Sequence, residues 1–149
     1  MCIRDRILSA GLGGVDTELF AAGCGRGQAV VSASTALTTA DEFLEIFKPT
    51  IAYRKIAGLT RGGRQLVSDQ ALLQCFGAFI RLANNCSTGD PETDFVIEEL
   101  EVNPFTCSKG SLVALDGLCR FGRPQQAAGR PRARTARTAP RCALSGRYP

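Results

Sequence analysis

One stretch of the sequence, residues 68–85, constrains the fold more than any other. Its apolar side chains recur at the spacing of a single helix face: Leu72, Leu73, Phe76, Phe79, Ile80 and Ala83. Ser68 precedes them as a candidate N-cap, and Asp69 sits where a helix dipole favours an acid. An apolar face this long has to pack against another layer. We therefore expect an amphipathic helix within a layered domain.

The segments before this helix indicate what that other layer is. Residues 7–20 read as a strand, a glycine turn and a second strand, and residues 28–34 form a further β-prone run. A shorter helix is predicted to begin after Thr38 or Thr39 and to end at Pro49. The glycine-rich residues 50–67 are predicted to be a loop.

The segments after the helix predict more strands. Residues 86–94 are polar and read as a surface loop. Residues 95–103 and 111–116 are expected to be two strands joined by a turn at residues 108–110. Together the patterns predict an α+β fold with a mixed or antiparallel sheet and two main helices.

The two ends of the chain differ from the segment between them. Residues 1–6 resemble translated library-adapter sequence, and we expect them to take no part in the fold. Residues 123–149 hold seven Arg, no acidic residue and almost no bulky apolar side chains. Such a segment cannot offset its ordering entropy by burial, so it is predicted to be a disordered linker or a frame-shifted read. Residues 7–122 are expected to be a partial domain of a longer protein.

Composition excludes several classes of function. The net charge of +4 comes from the Arg-rich tail, because the preceding residues hold 11 basic and 14 acidic groups. The body is therefore no basic nucleic-acid-binding domain. The absence of His excludes a histidine base, ligand or phosphohistidine within this chain. The seven Cys include no closely spaced pair, which argues against a zinc site and for reduced thiols in a cytoplasmic protein.

The candidate site lies in the segment predicted to form the last strands. Side chains alternate faces along a strand, so Glu99, Glu101 and Asn103 are expected to share one face. Pro104 ends that strand, and a hairpin would bring Asp116 beside Asn103. Carboxylate and amide oxygens are hard ligands that suit Mg²⁺. The same pattern is also compatible with a solvated acidic strand face.

Three motifs together resemble the C-terminal lobe of an ATP-grasp domain, of the subtype found in ADP-forming acyl-CoA synthetases, which are relatives of the succinyl-CoA ligase β chain. LEVNP at 100–104 followed by VALD at 113–116 is similar to the metal-binding end of that family. SAGLGGVDTE at 9–18 is similar to its glycine-rich strand entry leading to a Glu, here Glu18. AGLTRGG at 57–63 is similar to its Gly-x-x-Arg-Gly loop, which precedes an Asp-led helix.

The resemblance implies roles for particular residues. Asn103 and Asp116 would coordinate Mg²⁺ bound to the phosphates of ATP, with Glu101 as a third ligand or a support for the other two. The glycines implied to contact the nucleotide are Gly11, Gly13 and Gly14. Arg61 would be a catalytic and nucleotide-binding contact to a phosphate or acyl phosphate, because a guanidinium holds phosphate oxygens through paired donors.

The resemblance also implies a reaction and missing parts. The reaction is acid + CoA + ATP ⇌ acyl-CoA + ADP + phosphate. An ATP-grasp fold clamps ATP between two lobes, and this chain supplies only the later lobe. The family passes phosphate through a histidine on a CoA-binding domain, which would lie on a missing segment or another chain. The fragment alone is expected to be inactive.

Two further functions stay open at this stage. A carboxylate–amine ligase uses the same acyl-phosphate strategy with a different acceptor. A non-catalytic interaction module would have the same lobe with an acidic face that binds no metal. An Arg-rich tail that binds nucleic acid would give salt-dependent binding that is independent of base sequence. We do not expect this function, and we expect no nucleic-acid partner and no membrane partner.

Overall fold

The computed structural model describes residues 1–4, 6–13, 29–86 and 94–123, and the statements below refer to those residues. The strands are Cys2–Arg4 (β1), Ile7–Gly11 (β2), Val30–Ser34 (β3), Val96–Val102 (β4), Phe105–Ser108 (β5), Ser111–Ala114 (β6) and Gly117–Gly122 (β7). The helices are Ala40–Phe47 (α1), Ile51–Ile56 (α2) and Asp69–Asn85 (α3).

Five of the strands form one sheet, in the order β3-β2-β1-β4-β7, and β5 pairs with β6 as a separate hairpin. All the pairings between these described strands are antiparallel. The expected α+β fold with an antiparallel sheet is thus confirmed. The described residues contain three helices rather than the two main helices predicted.

The core lies between this sheet and the two longer helices. Ile3 of β1 and Leu8 of β2 are register partners on neighbouring strands, and they are 1% and 0% exposed. Phe43 and Phe47 of α1 pack edge-on against Phe76 of α3, with ring centroids 4.8 and 5.3 Å apart. Edge-to-face contact is a preferred arrangement of aromatic rings. This cluster therefore helps to fix how α1 lies against α3.

The two predicted helix starts are confirmed. The Thr39 hydroxyl accepts a hydrogen bond from the Glu42 N–H at 3.2 Å, and the Thr39 N–H donates to Glu42 Oε2 at 2.8 Å. This reciprocal capping box satisfies backbone donors that the first turn of α1 leaves without helical partners. The Ser68 hydroxyl accepts from the Ala71 N–H at 3.2 Å and caps α3 through this single hydrogen bond.

The prediction of a loop over residues 50–67 is wrong for its first part, which forms α2. Thr50 is fully buried between α1 and α2. Its hydroxyl donates to the Phe47 carbonyl oxygen at 2.7 Å and accepts from the Tyr53 N–H at 3.1 Å. One side chain therefore satisfies both the end of α1 and the start of α2, and this allows a second helix directly after Pro49.

The expectation that residues 1–6 take no part in the fold is wrong for Cys2–Arg4. This strand lies in the middle of the sheet, and Ile3 pairs with Leu8 on one side and Leu100 on the other. β1 belongs to the fold because the Ile3 side chain is buried in the hydrophobic core. β1 joins the two halves of the sheet.

The strands at the C-terminal end are divided differently from the prediction. The segment predicted as a strand over 111–116 forms β6, which pairs with β5 instead of β4. The turn at 108–110 is confirmed, and Lys109 and Gly110 take φ values of 49° and 80°. A two-residue turn with positive φ at both positions matches the twist of a tight hairpin. The partner of β4 is β7, which the sequence patterns did not predict.

Some predictions fall outside the described residues. They include the second strand of the 7–20 segment beyond Gly13, most of the 86–94 loop, and the tail from residue 124 onward. Within the described part of the chain, no helix combines the length and apolar character needed to cross a membrane.

Candidate functional site

One end of the five-stranded sheet brings the glycine-rich segment and the acidic segment together. β2 ends there at Gly11, β4 ends at Val102, and β7 begins at Gly117. Gly11 pairs with Val30 of β3, and Val102 pairs with Gly117. The segments that follow β2 and β4 are about 90 residues apart in the sequence. They meet at one end of the sheet, because β2 and β4 both run antiparallel to β1, which lies between them.

Asn103 and Asp116 lie opposite each other just beyond the last pair of β4 and β7. The Asn103 N–H donates to the Asp116 carbonyl oxygen at 3.1 Å. The expected proximity of these two residues is therefore present, and it comes from the predicted hairpin. The pairing that starts at the 108–110 turn with β5 and β6 continues in the same register through Asn103 and Asp116 into β4 and β7. Asn103 Nδ2 lies 3.4 Å from Glu101 Oε1, and Asp116 Oδ1 accepts from the Gly117 N–H at 2.8 Å.

The Asn103 side chain also meets the glycine-rich segment. A Cβ atom added at Gly13 would lie only 2.4 Å from Asn103 Oδ1. The amide nitrogen of Asn103 is turned toward Glu101, so its oxygen is the atom that faces Gly13. Only a residue without a side chain allows this approach. Two of the three motifs that carried the family resemblance thus touch each other in the fold.

The oxygen-bearing side chains at this sheet end are of the type that suits a hard cation with open positions. They are the carboxylates of Glu101 and Asp116 and the amide oxygen of Asn103. Across the described ranges, no group of three or more His, Cys, Asp or Glu side chains is placed to hold a metal. A metal here would therefore depend on the Asn103 amide and on oxygens from phosphate or water. Mg²⁺ commonly binds in this way, through one or two carboxylates and the phosphates of its substrate.

Glu99 and Glu101 pair with alternate residues of β1, as strand alternation predicted, but the Glu99 carboxylate is bound by arginines and does not join this set. Glu99 is 8% exposed and forms ion pairs with Arg4 of β1 and Arg120 of β7. The distance from Arg120 Nη1 to Glu99 Oε2 is 3.6 Å. Arg4, Glu99 and Arg120 are register partners across three neighbouring strands. The carboxylate of Glu99 therefore contributes to the pairing of these strands, because a carboxylate this buried requires oppositely charged partners.

A cavity of about 440 Å³ opens beside the acidic cluster. Its buried lining includes Ala10 of β2, Phe47 of α1, Ala52 of α2 and Phe76 of α3. Glu101 and Asn103 line it at the sheet end. A largely apolar cavity of several hundred Å³ with a few polar groups at one side is the usual form of a small-molecule site.

Lys55 is a cavity residue that the sequence analysis missed. It lies on α2 and lines the cavity together with Ala52 and Ile56. The signal in the sequence was weak, because these three positions share a helix face over only one turn. Thr50 precedes them as a candidate N-cap.

Two thiols also line the cavity. Burial, and to a smaller extent the nearby carboxylates of Glu101 and Glu99, raise the pKa of Cys2. Burial alone raises the pKa of Cys107. Both thiols therefore stay protonated near neutral pH, and a protonated thiol is a poor nucleophile and metal ligand. They act as part of the neutral lining.

Of the other predicted site residues, Gly11 and Gly13 also line this cavity, and Asp116 is not among the described residues that line it. Arg61 is exposed in the turn that follows Thr60, and it is not among the described residues that line the cavity. Gly14 and Glu18 lie outside the described residues.

No protein-family model, curated protein or solved structure matches this chain.

Proposed function

We propose that this chain forms the phosphate and Mg²⁺ end of a nucleotide site in an ATP-grasp ligase. The one observation that carries the proposal is the contact between Gly13 and the Asn103 side chain, with Glu101 and Asp116 beside it. A glycine segment that allows close approach and a set of hard oxygen ligands are the two requirements of a metal–phosphate site. Here both occur at the same sheet end.

The reaction we propose for the parent enzyme is the ADP-forming activation of a carboxylic acid: acid + CoA + ATP ⇌ acyl-CoA + ADP + phosphate. The proposal draws on the order of the three motifs and on their resemblance to acyl-CoA synthetases of this type. Histidine is absent from the chain. A histidine carrier of phosphate and the second half of the nucleotide clamp would come from another segment or chain, in a cytoplasmic enzyme.

In this proposal the residues of the chain act by position and charge. Asn103, Glu101 and Asp116 would hold the cation, and Gly13 would admit the phosphates close to the backbone. Bound Mg²⁺ would supply neutralisation of the negative charge on the phosphates during transfer. Arg61, exposed on its loop, would contact a phosphate or acyl phosphate presented by the rest of the enzyme.

The test is thermal unfolding of the 149-residue chain with Mg²⁺, with ADP, and with both. A real site stabilises the fold by mass action, by about 2.7 kcal/mol at a hundredfold excess over Kd. This corresponds to a Tm increase of several degrees for a domain of this size. The increase is expected only when Mg²⁺ and ADP are present together.

Variants of the site sharpen this test. Asn103→Ala and Asp116→Ala should each remove most of the increase in Tm. Asp94→Ala is the matched control, because Asp94 is an exposed carboxylate just before the opposite end of β4. In the full-length enzyme, Asp116→Ala should abolish Mg²⁺-dependent turnover without unfolding the protein. An unchanged Tm of the native chain would contradict the proposal and favour a non-catalytic interaction module.

A further inference from the structure

β7, the last strand of the described sheet, has an exposed apolar edge. It pairs with β4 on one side, and no described strand pairs with its other side. Leu118 and Phe121 of β7 are 54% and 69% exposed, and the Phe121 ring lies against that of Phe95, with centroids 6.2 Å apart. Arg120 is the one charged side chain of the strand. Open strand edges usually carry several charges or a proline, because an apolar edge pairs readily with another chain.

The backbone of β7 alternates between groups that bond to β4 and groups that point away from it. The Asn103 N–H donates to the Asp116 carbonyl oxygen, so Asp116 directs its backbone groups toward the β4 side. In an antiparallel ladder every second residue does the same, and Leu118 and Arg120 therefore bond to β4. The residues between them direct their N–H and C=O groups to the open edge: Gly117, Cys119 and Phe121.

Most of these outward groups are available to a further strand. The Gly117 N–H donates to the carboxylate of Asp116 at 2.8 Å, so the acid covers that one donor. Within the described residues, no backbone hydrogen bond from another segment reaches the N–H groups of Cys119 and Phe121. Such groups along an exposed apolar strand are what a strand added from another chain would bind.

A second copy of β7 fits this edge in one antiparallel register, in which the two-fold axis passes at Cys119. Cys119 then exchanges backbone hydrogen bonds with Cys119 of the second copy. On either side of the axis, the Phe121 N–H of one copy donates to the Gly117 carbonyl oxygen of the other. The Phe121 ring also lies opposite a residue without a side chain, and an aromatic residue is a favourable partner for a glycine at a sheet edge.

Other registers of the same edge are less favourable. An axis at Leu118 or Arg120 would present the backbone groups that already bond to β4, and an axis at Arg120 would also place two guanidinium groups opposite each other. An axis at Gly117 or Phe121 would leave much of the strand without a partner. With the axis at Cys119, Arg120 lies opposite Leu118 of the second copy, so no like charges meet.

We propose that two copies of this chain associate through β7 and join their sheets into one continuous antiparallel sheet. A second copy is the occupant that the edge itself specifies, because backbone direction, the match of Phe121 with Gly117 and charge all favour the same two-fold register. The contact comprises six residues from each copy, whereas stable complexes use about 20–30 residues a side. The dimer is therefore expected to be reversible, with a Kd in the micromolar range. It does not depend on the proposed ligase function.

The test begins with sedimentation velocity of the 149-residue chain in reducing buffer. Concentrations from about 10 µM to 1 mM span a micromolar Kd, and the sedimentation coefficient should rise across them from that of a monomer to that of a dimer. Amide hydrogen exchange followed by NMR then locates the interface. Exchange at Cys119 and Phe121 should slow as concentration rises, whereas exchange at Leu118 and Arg120, which already bond to β4, should not change.

Charge variants at Leu118 test the register, because this residue lies opposite Arg120 of the second copy. Leu118→Lys places like charges at both symmetric positions and should raise Kd. Leu118→Glu places opposite charges there, and its Kd should be at least about fivefold lower than that of Leu118→Lys. Leu37→Lys is the matched control, because Leu37 is 86% exposed and follows β3 at the opposite edge of the sheet. It should leave Kd unaltered.

Three outcomes would overturn the proposal. The first is a monomer at every concentration. The second is equal weakening by Leu118→Lys and Leu118→Glu, which would show apolar association without the register. The third is a dimer in which Cys119 and Phe121 exchange as in the monomer, which would place the interface elsewhere.

Folding and association are measured separately. Glu101 is the register partner of Leu118 within one copy, so a charge at position 118 also acts inside the monomer. The Tm of each variant is therefore measured at the lowest concentration, where the monomer predominates. If Leu118→Lys does not fold, the exchange pattern of the native chain decides the question alone.

Discussion

Gly11 and Gly13 lie two residues apart but have very different neighbours. A Cβ atom at Gly11 would lie 2.2 Å from the Ala29 carbonyl oxygen and 2.8 Å from the Val30 Cα. Those atoms belong to the backbone at the start of β3 and cannot move without breaking the sheet edge. A Cβ atom at Gly13 would meet the end of the Asn103 side chain, which can rotate away. Gly11 is therefore required by the packing of β2 against β3, whereas Gly13 is required by the close approach of the Asn103 side chain.

Gly11→Ala should lower the free energy of unfolding by about 1–3 kcal/mol, the usual cost of overpacking. Gly13→Ala should cost less than about 1 kcal/mol, because only a side chain is displaced. It should nevertheless remove most of the Tm increase produced by Mg²⁺ and ADP, since the Asn103 oxygen is moved. Urea unfolding and thermal unfolding measure the two effects. A Gly13→Ala variant that keeps the full ligand response would argue against a role of this contact in binding.

The candidate site could be predicted from the sequence only where local rules apply. Strand alternation and the order of the motifs indicated Glu101, Asn103 and Asp116, and the structure places these residues together. The same alternation could not reveal that Glu99 is held by arginines of two other strands. Strand partners this distant in the sequence have no local signature. The metal-binding role of Glu101, Asn103 and Asp116 stays a prediction.

Among the structural elements, the two threonine-capped helices show why one was predicted and the other was not. Thr39 begins an eight-residue helix with a full apolar face and a Glu three residues after the cap. Thr50 begins a helix of only six residues, which is too short to show a helical period. The glycines that follow dominated the local pattern. The buried hydrogen bonds of Thr50, which the sequence alone cannot show, stabilise this helix.

Thr39→Ala should destabilise the protein by about 1 kcal/mol through loss of the cap. The Thr39 N–H and hydroxyl both hydrogen-bond the Glu42 carboxylate and lower its pKa. A lowered pKa in the folded state means that this contribution is present above the ordinary glutamate pKa and is lost as pH falls through the lowered value. The backbone N–H at position 39 is the larger cause and remains in the variant, so the Glu42 pKa should rise only part of the way to its ordinary value. The variant should also lose less stability on acidification.

Side-chain carboxyl NMR of Glu42 across the acid range measures this change directly. Thr39→Ser is the matched control, because it keeps the hydroxyl and should keep the lowered pKa. If Glu42 titrates identically in the native chain and in Thr39→Ala, the Thr39 hydroxyl has no electrostatic effect on Glu42.

For the whole molecule, the decisive feature is that the first strand lies beside β4, although more than 90 residues separate the two in the sequence. β1 pairs with β4, and the Val102 N–H donates to the Met1 carbonyl oxygen. The α+β class and most of the element positions followed from local periodicity. The strand order did not, because it depends on pairings between distant segments, and β1 was left out on the character of its sequence alone.

Ile3→Ala should lower the free energy of unfolding by about 2–4 kcal/mol, because it leaves a void in a core position that is 1% exposed. Ile7→Ala is the matched control, since Ile7 lies on the next strand and is 41% exposed. Its cost should stay below about 1 kcal/mol. Urea unfolding monitored by circular dichroism distinguishes the two. Equal, small effects would mean that β1 contributes nothing to the fold.

The central place of β1 has a kinetic consequence. The helices form from local contacts, whereas the pairing of β1 with β4 closes a loop of nearly the whole described chain, and such pairings form slowly. During synthesis, β1 emerges long before β4 and presents an open edge until its partner is made. The Gly13–Asn103 contact arises only when that edge is closed. Completion of the sheet and assembly of the site are therefore one event, and a chain truncated before β4 has neither.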